Sequence, residues 1–463
     1  RLVSESLGTT SWYLRMLRDS PAAAERLCQI LSSSRYITDL LEDAPTSITW
    51  LDKVADLQPL SAGALKAEIT SLLSRHEDSA DAMRAVRYLR RREILRIAMG
   101  DALNLLSVQQ VCTGLATVDE CTIGAALALA EREEVKAGER DEKTTPQKSD
   151  APQRDSQEAA GENPEEGQRN PLLTEITVIA MGRLGGAENG FGSDADVMFV
   201  HRPVEGADEK EAQAQANRIV NRLMQLIKQP VRPAIRAERP LEVDADLRPE
   251  GKQGALVRSL DSYRAYYERW AETWEFQALL RARPIAGSED LGRAFVELID
   301  PYRYPREFTA EQAQQVRRMK ARVEHERMPH GADRTRQLKL GRGGLSDVEW
   351  LVQLIQLQRA HKVEGLRTTS TLEALDAAVQ ASLVAAEDAE VLRDAWLLAT
   401  KIRGGNVLRG VRQSDLLPTL RDALEAVARW SGYTPGSARQ LEEDYLRVTR
   451  NARKVYERLF FEG

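Results

Sequence analysis

Asp194 and Asp196 stand two positions apart, about ten residues behind a glycine cluster at Gly182, Gly185 and Gly186. The stretch 176–200 reads as an apolar strand, a glycine-rich bend and a second apolar strand that carries both acids. Alternation along a strand sends Asp194 and Asp196 to one face, about 7 Å apart, with Ala195 and Val197 on the other. Two ionised carboxylates so placed repel each other. A pair of divalent cations relieves that repulsion, and Mg²⁺ favours carboxylate oxygens together with substrate phosphates. The chemistry indicated is metal-dependent phosphoryl or nucleotidyl transfer.

A second acidic run, residues 241–251, places Asp244 and Asp246 in the same alternation with Val243, Ala245 and Leu247. If it forms a strand beside the first, Asp244 completes a trio able to hold two Mg²⁺ ions in the two-metal arrangement. Gly182, Gly185, Gly186 and Gly192 permit close backbone approach to phosphates. Ser193 is placed either to donate to a triphosphate oxygen or to cap a turn, and Glu188 to hold the loop through backbone N–H groups. Arg183, Arg248, Arg281, Arg283, Lys339 and Arg342 are the cationic candidates, each either a phosphate ligand or half of an ordinary surface ion pair. Glu349 and Gln353 share one face of the helix expected over residues 347–361. The five histidines show no ligand spacing.

These residues need elements to hold them. Strands are expected at 176–181, 196–200 and 239–247, with a helix at 208–228 between the last two. Helix is expected over 260–281, and a helical bundle from 309 to 461, with apolar stripes at Trp350, Leu351, Leu354, Ile355 and Leu357 and at Leu441, Tyr445, Val448, Val455 and Leu459. Residues 1–130 read as helix alone. Their segment 81–106 sets Met83, Val86, Leu89, Ile94 and Ile97 at helical spacing against Arg84, Arg87, Arg90, Arg91 and Arg92. That basic face reads as solvated, or as a contact for phosphate or an acidic partner. Beyond Val135 no Ile, Leu, Val, Phe, Trp or Tyr occurs until Leu172. Such a stretch cannot offset its ordering entropy by apolar burial, so 131–170 reads as a mobile insertion.

A chain of 463 residues, 42% hydrophobic and 29% charged, is expected to form two or three domains with a strong helical lean. The net charge of −6 weighs against a template-directed polymerase and against RNA as substrate. Three cysteines without metal-ligand spacing suit a reducing cytosol. No apolar run approaches the roughly 20 residues of a membrane span, and no signal peptide is visible. The opening at Arg1, within helix-forming sequence, suggests a piece of a longer protein.

The pattern Gly182-Arg-Leu-Gly-Gly186 followed by Glu188 and Gly192-Ser-Asp-Ala-Asp196 resembles that of the glutamine synthetase adenylyltransferases, a branch of the DNA polymerase beta-like nucleotidyltransferases. The resemblance extends to Glu242-Val-Asp, Leu247-Arg-Pro249, Thr273-Trp-Glu, the run to Arg283, and Gly343-Gly-Leu with Asp347-Val-Glu349. It implies an α+β fold, predominantly helical: a small mixed sheet at 171–300 flanked by helical bundles at 1–130 and 301–463. It also implies transfer of AMP from ATP to a tyrosine of glutamine synthetase, with two Mg²⁺ (Mn²⁺ possible) held by Asp194, Asp196 and Asp244 as metal ligands and catalytic residues. Gly182, Arg183, Gly185, Gly186, Gly192, Ser193, Arg248, Arg283 and Lys339 are then the nucleotide-binding set. The PII signal protein is the implied regulator, with neither nucleic acid nor membrane as partner and a cytoplasmic location.

Members of this family typically join two similar halves, one adding AMP and one removing it by phosphorolysis. Gly-Ser-Asp rather than Ser-Ser-Asp, and the Trp274-Glu-Phe-Gln run, resemble the adding, C-terminal half. De-adenylylation by the same fold, or a non-catalytic module that binds PII or glutamine synthetase, are the other readings. Two departures stand out: Arg183 where the superfamily has Ser, and Asp246 where the family usually has Arg.

Overall fold

The computed structural model describes residues 11–144, 172–230, 239–410 and 414–462. The N-terminal part is helical: α1 Ser11–Asp19, α2 Pro21–Ser33, α3 Arg35–Asp43, α4 Ala62–Arg75, α5 Ser79–Ala102 and α6 Val108–Thr144. Ser20, Ser34, Ser61 and Asp78 cap four of these helices by accepting from backbone N–H groups of the first turn, as N-cap residues do.

Helix α6 corrects the expectation of a linker from residue 131, because it runs unbroken to Thr144. Within that extension Glu133 and Glu134 pair with Arg222 and Arg218, so charge rather than apolar burial ties it down. The remainder of the expected insertion, 145–170, lies outside the described residues. The stretch Val108–Gly138 of α6 also corrects the reading that nothing is membrane-length, since by length and composition alone it suffices to cross a bilayer. Yet 72% of its apolar window is buried inside the protein, which makes it a core helix.

The sheet follows. Strands β1 Thr174–Ala180 and β2 Ala195–Pro203 form an antiparallel pair, joined through the single helical turn α7 Gly182–Gly185. Helix α8 Glu209–Lys228 leads to β3 Val243–Asp244 and then β4 Val257–Ser259, both parallel to β2. After α9 Leu260–Arg269 and α10 Thr273–Leu279, β5 Arg283–Gly287 returns antiparallel to β1. The order is β3-β2-β1-β5, with β4 also on β2. The mixed sheet agrees with the expected fold class, but β4 and β5 have no counterpart in the sequence reading.

Both faces of the sheet are covered. Val178, Ala180, Val197 and Phe199 pack into the core shared with the N-terminal helices and α8. Ile179, Met181, Met198 and Val200 pack on the other face with Tyr263 and Phe295, the latter from α11 Glu289–Arg303. Strands buried on both faces read as unbroken apolar runs, which is how residues 176–181 and 197–200 look in the sequence.

The C-terminal bundle comprises α12 Ala310–Arg327, α13 Leu345–Arg359, α14 Thr371–Gln380, α15 Ala386–Gly410, α16 Arg421–Trp430 and α17 Ala438–Glu457. Leu351, Leu354, Leu357, Leu441, Tyr445 and Val455 are in its core, as their spacing predicts, while Trp350, Ile355, Val448 and Leu459 line its edge.

Candidate active site

Asp194 immediately precedes β2 and Asp196 is its second residue. Parallel pairing sets Asp196 opposite Asp244, and the Ala195 N–H donates to the Glu242 carbonyl at 2.8 Å. Carboxylate oxygens of Asp194, Asp196 and Asp244 consequently lie within 4.8 Å of one another. The expected long strand at 239–247 is corrected to two residues: the chain turns after Asp244, whose carboxylate accepts from the Asp246 N–H at 2.7 Å. Asp246 therefore leaves the shared face and meets Lys252 at 3.2 Å. A cleft of about 580 Å³ opens beside Asp194 and Asp244, with Lys228, Asp246, Arg248 and Lys252 on its walls.

The Asp196 carboxyl is pushed up to about 7, first by burial and then by Asp194 and Asp244, while Lys339 and Arg327 act in the opposite sense. Hard oxygen donors that repel one another when bare fit a Mg²⁺- or Mn²⁺-type cation. A metal ion needs the ionised form. As pH falls through 7, protonation of Asp196 competes, so divalent-ion affinity is expected to drop roughly tenfold per pH unit below that point. Calorimetric titration with Mn²⁺ at pH 6, 7 and 8 checks this; an affinity flat across the range contradicts it.

The glycines are placed for different reasons. Gly182 has φ +52°, and a Cβ there would stand 2.1 Å from Asp196 Oδ2, so this residue abuts the acids directly. At Gly185 a Cβ would lie 1.8 Å from the Arg281 carbonyl, and at Gly186 2.1 Å from Arg281 Nη1. Their bareness lets the turn seat on Arg281. Gly192, φ +72°, lies near Arg239. Ser193 Oγ accepts from the Gly190 N–H at 3.0 Å, which is the turn-capping alternative.

Most cationic candidates are engaged by the protein itself. Arg183 donates to the Glu188 carbonyl and to Glu349. Arg248 donates to the carbonyls of Ala245, Lys252 and Gly254 and so ties the turn after Asp244. Arg283 reaches the carbonyls of Leu184 and Gly185 and pairs with Glu120, holding the glycine turn from behind. Arg281 pairs with buried Glu188 at 2.9 Å. Glu188 in turn accepts from the Thr371 N–H at 2.6 Å, so it fastens the loop to the C-terminal bundle rather than through the loop's own backbone N–H groups. Gln353 accepts from Gln277 at 2.7 Å. Lys339 and Arg342 are exposed. Arg327, at the end of α12, was missed by the sequence reading because it belongs to none of the motifs; only folding brings it within electrostatic reach of Asp196.

A small mixed sheet with three acids gathered at its strand ends, beside a glycine turn, defines the nucleotidyltransferase class. Residues 24–154 and 149–298 match the model of the glutamate-ammonia ligase adenylyltransferase family, and the chain belongs to that family. Residues 317–460 match a second model, GlnD PII-uridylyltransferase. Curated relatives include the bifunctional glutamine synthetase adenylyltransferase/adenylyl-removing enzymes of Leifsonia xyli (44% identical), Streptomyces avermitilis (44%) and Mycobacterium tuberculosis (43%). These matches cover 99–100% of the chain but 42–44% of each relative. The chain thus spans less than half the length of these relatives.

Proposed function

We propose that this chain transfers AMP from ATP to a tyrosine of glutamine synthetase, with Asp194, Asp196 and Asp244 holding two divalent ions. The observation that carries the reading is the convergence of those carboxylates within 4.8 Å beside Gly182 in a member of this family. When bound, the ions polarise the α-phosphate and lower the pKa of the attacking hydroxyl. Asp244 is the proposed base for the tyrosine hydroxyl, its carboxylate oriented by the Asp246 N–H. Gly182 leaves room beside Asp196, and Lys339 with Arg327 receives the triphosphate and the departing pyrophosphate. Arg183, Arg248 and Arg283 act indirectly, by fixing the turns on which the acids stand. Preorganised charge of this kind supplies most of the rate enhancement in such transfers.

The deciding experiment incubates the chain with glutamine synthetase, ATP and Mg²⁺ and reads intact mass. A gain of one AMP per subunit is expected, and its absence under ATP and both metals defeats the proposal. The relatives' names also carry adenylyl removal. Supplying inorganic phosphate and modified glutamine synthetase instead reads that direction. The likeness of 317–460 to a PII-uridylyltransferase model supports a PII signal protein as regulatory partner.

Loss of a charged hydrogen-bond donor to phosphate costs about 1.5–3 kcal/mol. Lys339→Met and Arg327→Met are therefore each expected to raise the KM for ATP roughly 10- to 100-fold with little change in thermal stability, since both are exposed. Steady-state kinetics in ATP tests this, and unchanged KM in both variants removes them from the site.

A further inference from the structure

The arginines of α5 do not form the solvated face their spacing suggests. Arg87 and Arg91 are 4% and 6% exposed, and with Arg90 they line a cavity of about 370 Å³ between the N-terminal helices and the turn before Asp194. Tyr36, Asp119 and Arg239 share the lining, and Gly192 and Ser193 form the wall toward the catalytic strand. That volume is within the range of small-molecule sites.

The cavity lining carries four arginines, of which Arg90 pairs with Asp119 and Arg91 with Asp43 at 3.3 Å, and Glu242 is the other acid on its wall. Asp119 is already committed: one oxygen accepts from Arg90 Nε at 2.9 Å and the other from Asn189 Nδ2 at 2.9 Å. Arg90 also donates to the Arg239 carbonyl at 2.9 Å, which fixes that backbone at the cavity edge. The Arg239 guanidinium lies over the Tyr36 ring, 5.5 Å from its centroid. Among the described residues no carboxylate pairs with it. A guanidinium held over an aromatic face in an arginine-lined cavity, with no carboxylate of its own, is a ready receptor for a planar or tetrahedral oxyanion.

We propose that this cavity binds a small molecule bearing a phosphate or carboxylate group through Arg239, and that its occupancy acts on Asp194 through the wall formed by Gly192 and Ser193. A Cβ on Gly192 would stand 3.2 Å from Arg239 Nη1, so the guanidinium lies against the Gly192 backbone and any shift it makes toward a ligand is felt there. Ser193 precedes Asp194 directly and is tied to Gly190. The turn therefore moves as a unit, and the Asp194 carboxylate shifts relative to Asp196 and Asp244.

The test is equilibrium dialysis of the 463-residue chain against labelled inorganic phosphate in EDTA, where three bare carboxylates repel anions from the catalytic cleft. One saturable site is expected, weakened at least tenfold in Arg239→Gln and unchanged in Lys339→Met. Tyr36→Phe, which keeps the ring beneath the guanidinium, should retain binding, and a thermal melt of Arg239→Gln that matches the parent shows its loss of binding is not loss of fold. A parallel arm with malonate separates the sources: displacement of phosphate by malonate marks a site open to carboxylates, and failure to displace marks one selective for phosphate. Absence of saturable binding to either oxyanion overturns the proposal, as does binding that survives Arg239→Gln or disappears in Lys339→Met. This readout needs no turnover, so it stands or falls separately from the adenylyl-transfer reading.

Discussion

On the proposed function, replacing Asp194, Asp196 or Asp244 singly by Asn is expected to lower AMP transfer by roughly a thousandfold or more, while the thermal midpoint holds or rises. The two halves of this expectation come from one geometry. Asn keeps the size of Asp and removes its charge, so a ligand for the divalent ion is lost without a change in packing. In the metal-free chain, however, burial first and then repulsion from Asp194 and Asp244 drive the Asp196 carboxyl up to about 7. Asp196 is thus protonated in the fold well above its unfolded value, and its contribution to stability is lost as pH rises toward 7. Removing one acid relieves that repulsion. Activity and stability diverge, as they do where a site is assembled against its own folding preference. Labelled AMP transfer and a thermal melt at pH 8 in EDTA read the two effects. Near-full transfer in all three variants would sink the assignment.

Gly182→Ala has the second largest expected effect, near a hundredfold loss of transfer together with weakened Mn²⁺ binding. The new methyl would sit 2.1 Å from Asp196 Oδ2 and 3.3 Å from Asp196 Cβ. Asp196 cannot retreat along the backbone, because its carbonyl accepts from the Met181 N–H at 2.8 Å and it pairs with Asp244. The carboxylate must rotate away. Ala at φ +52° also costs about 1–2 kcal/mol, a loss visible as a lowered denaturation midpoint but too small to unfold the chain. Metal titration alongside kinetics distinguishes displacement of Asp196 from simple destabilisation: a slow variant that keeps its Mn²⁺ affinity contradicts the displacement.

Some of this was present in local sequence. The i, i+2 spacing of Asp194 and Asp196 after a glycine bend is a property of neighbours, and alternation along a strand converts it directly into geometry. The apolar runs at 176–181 and 197–200 likewise declare strands covered on both faces. The family motifs located Asp244 and the turn at Gly182 for the same reason, since each is a short contiguous run.

What the tertiary structure alone decided is where each guanidinium goes. Arg183, Arg248 and Arg283 are alike in sequence, each one or two residues from a motif glycine, acid or turn. An arginine fork is satisfied by any nearby carbonyl or carboxylate, and the carboxylates that Arg183 and Arg283 meet are Glu349 and Glu120, more than a hundred residues away in the chain. The same applies to the α5 arginines, turned inward by Asp119 and Asp43, and to residues 131–138, held in helix by Arg218 and Arg222 across the groove. Strand β5 is half-buried and so bears no clear alternation. Charge pairing between distant elements leaves no periodic trace, whereas apolar burial and backbone geometry do; the chain announced its acids and concealed the partners of its bases.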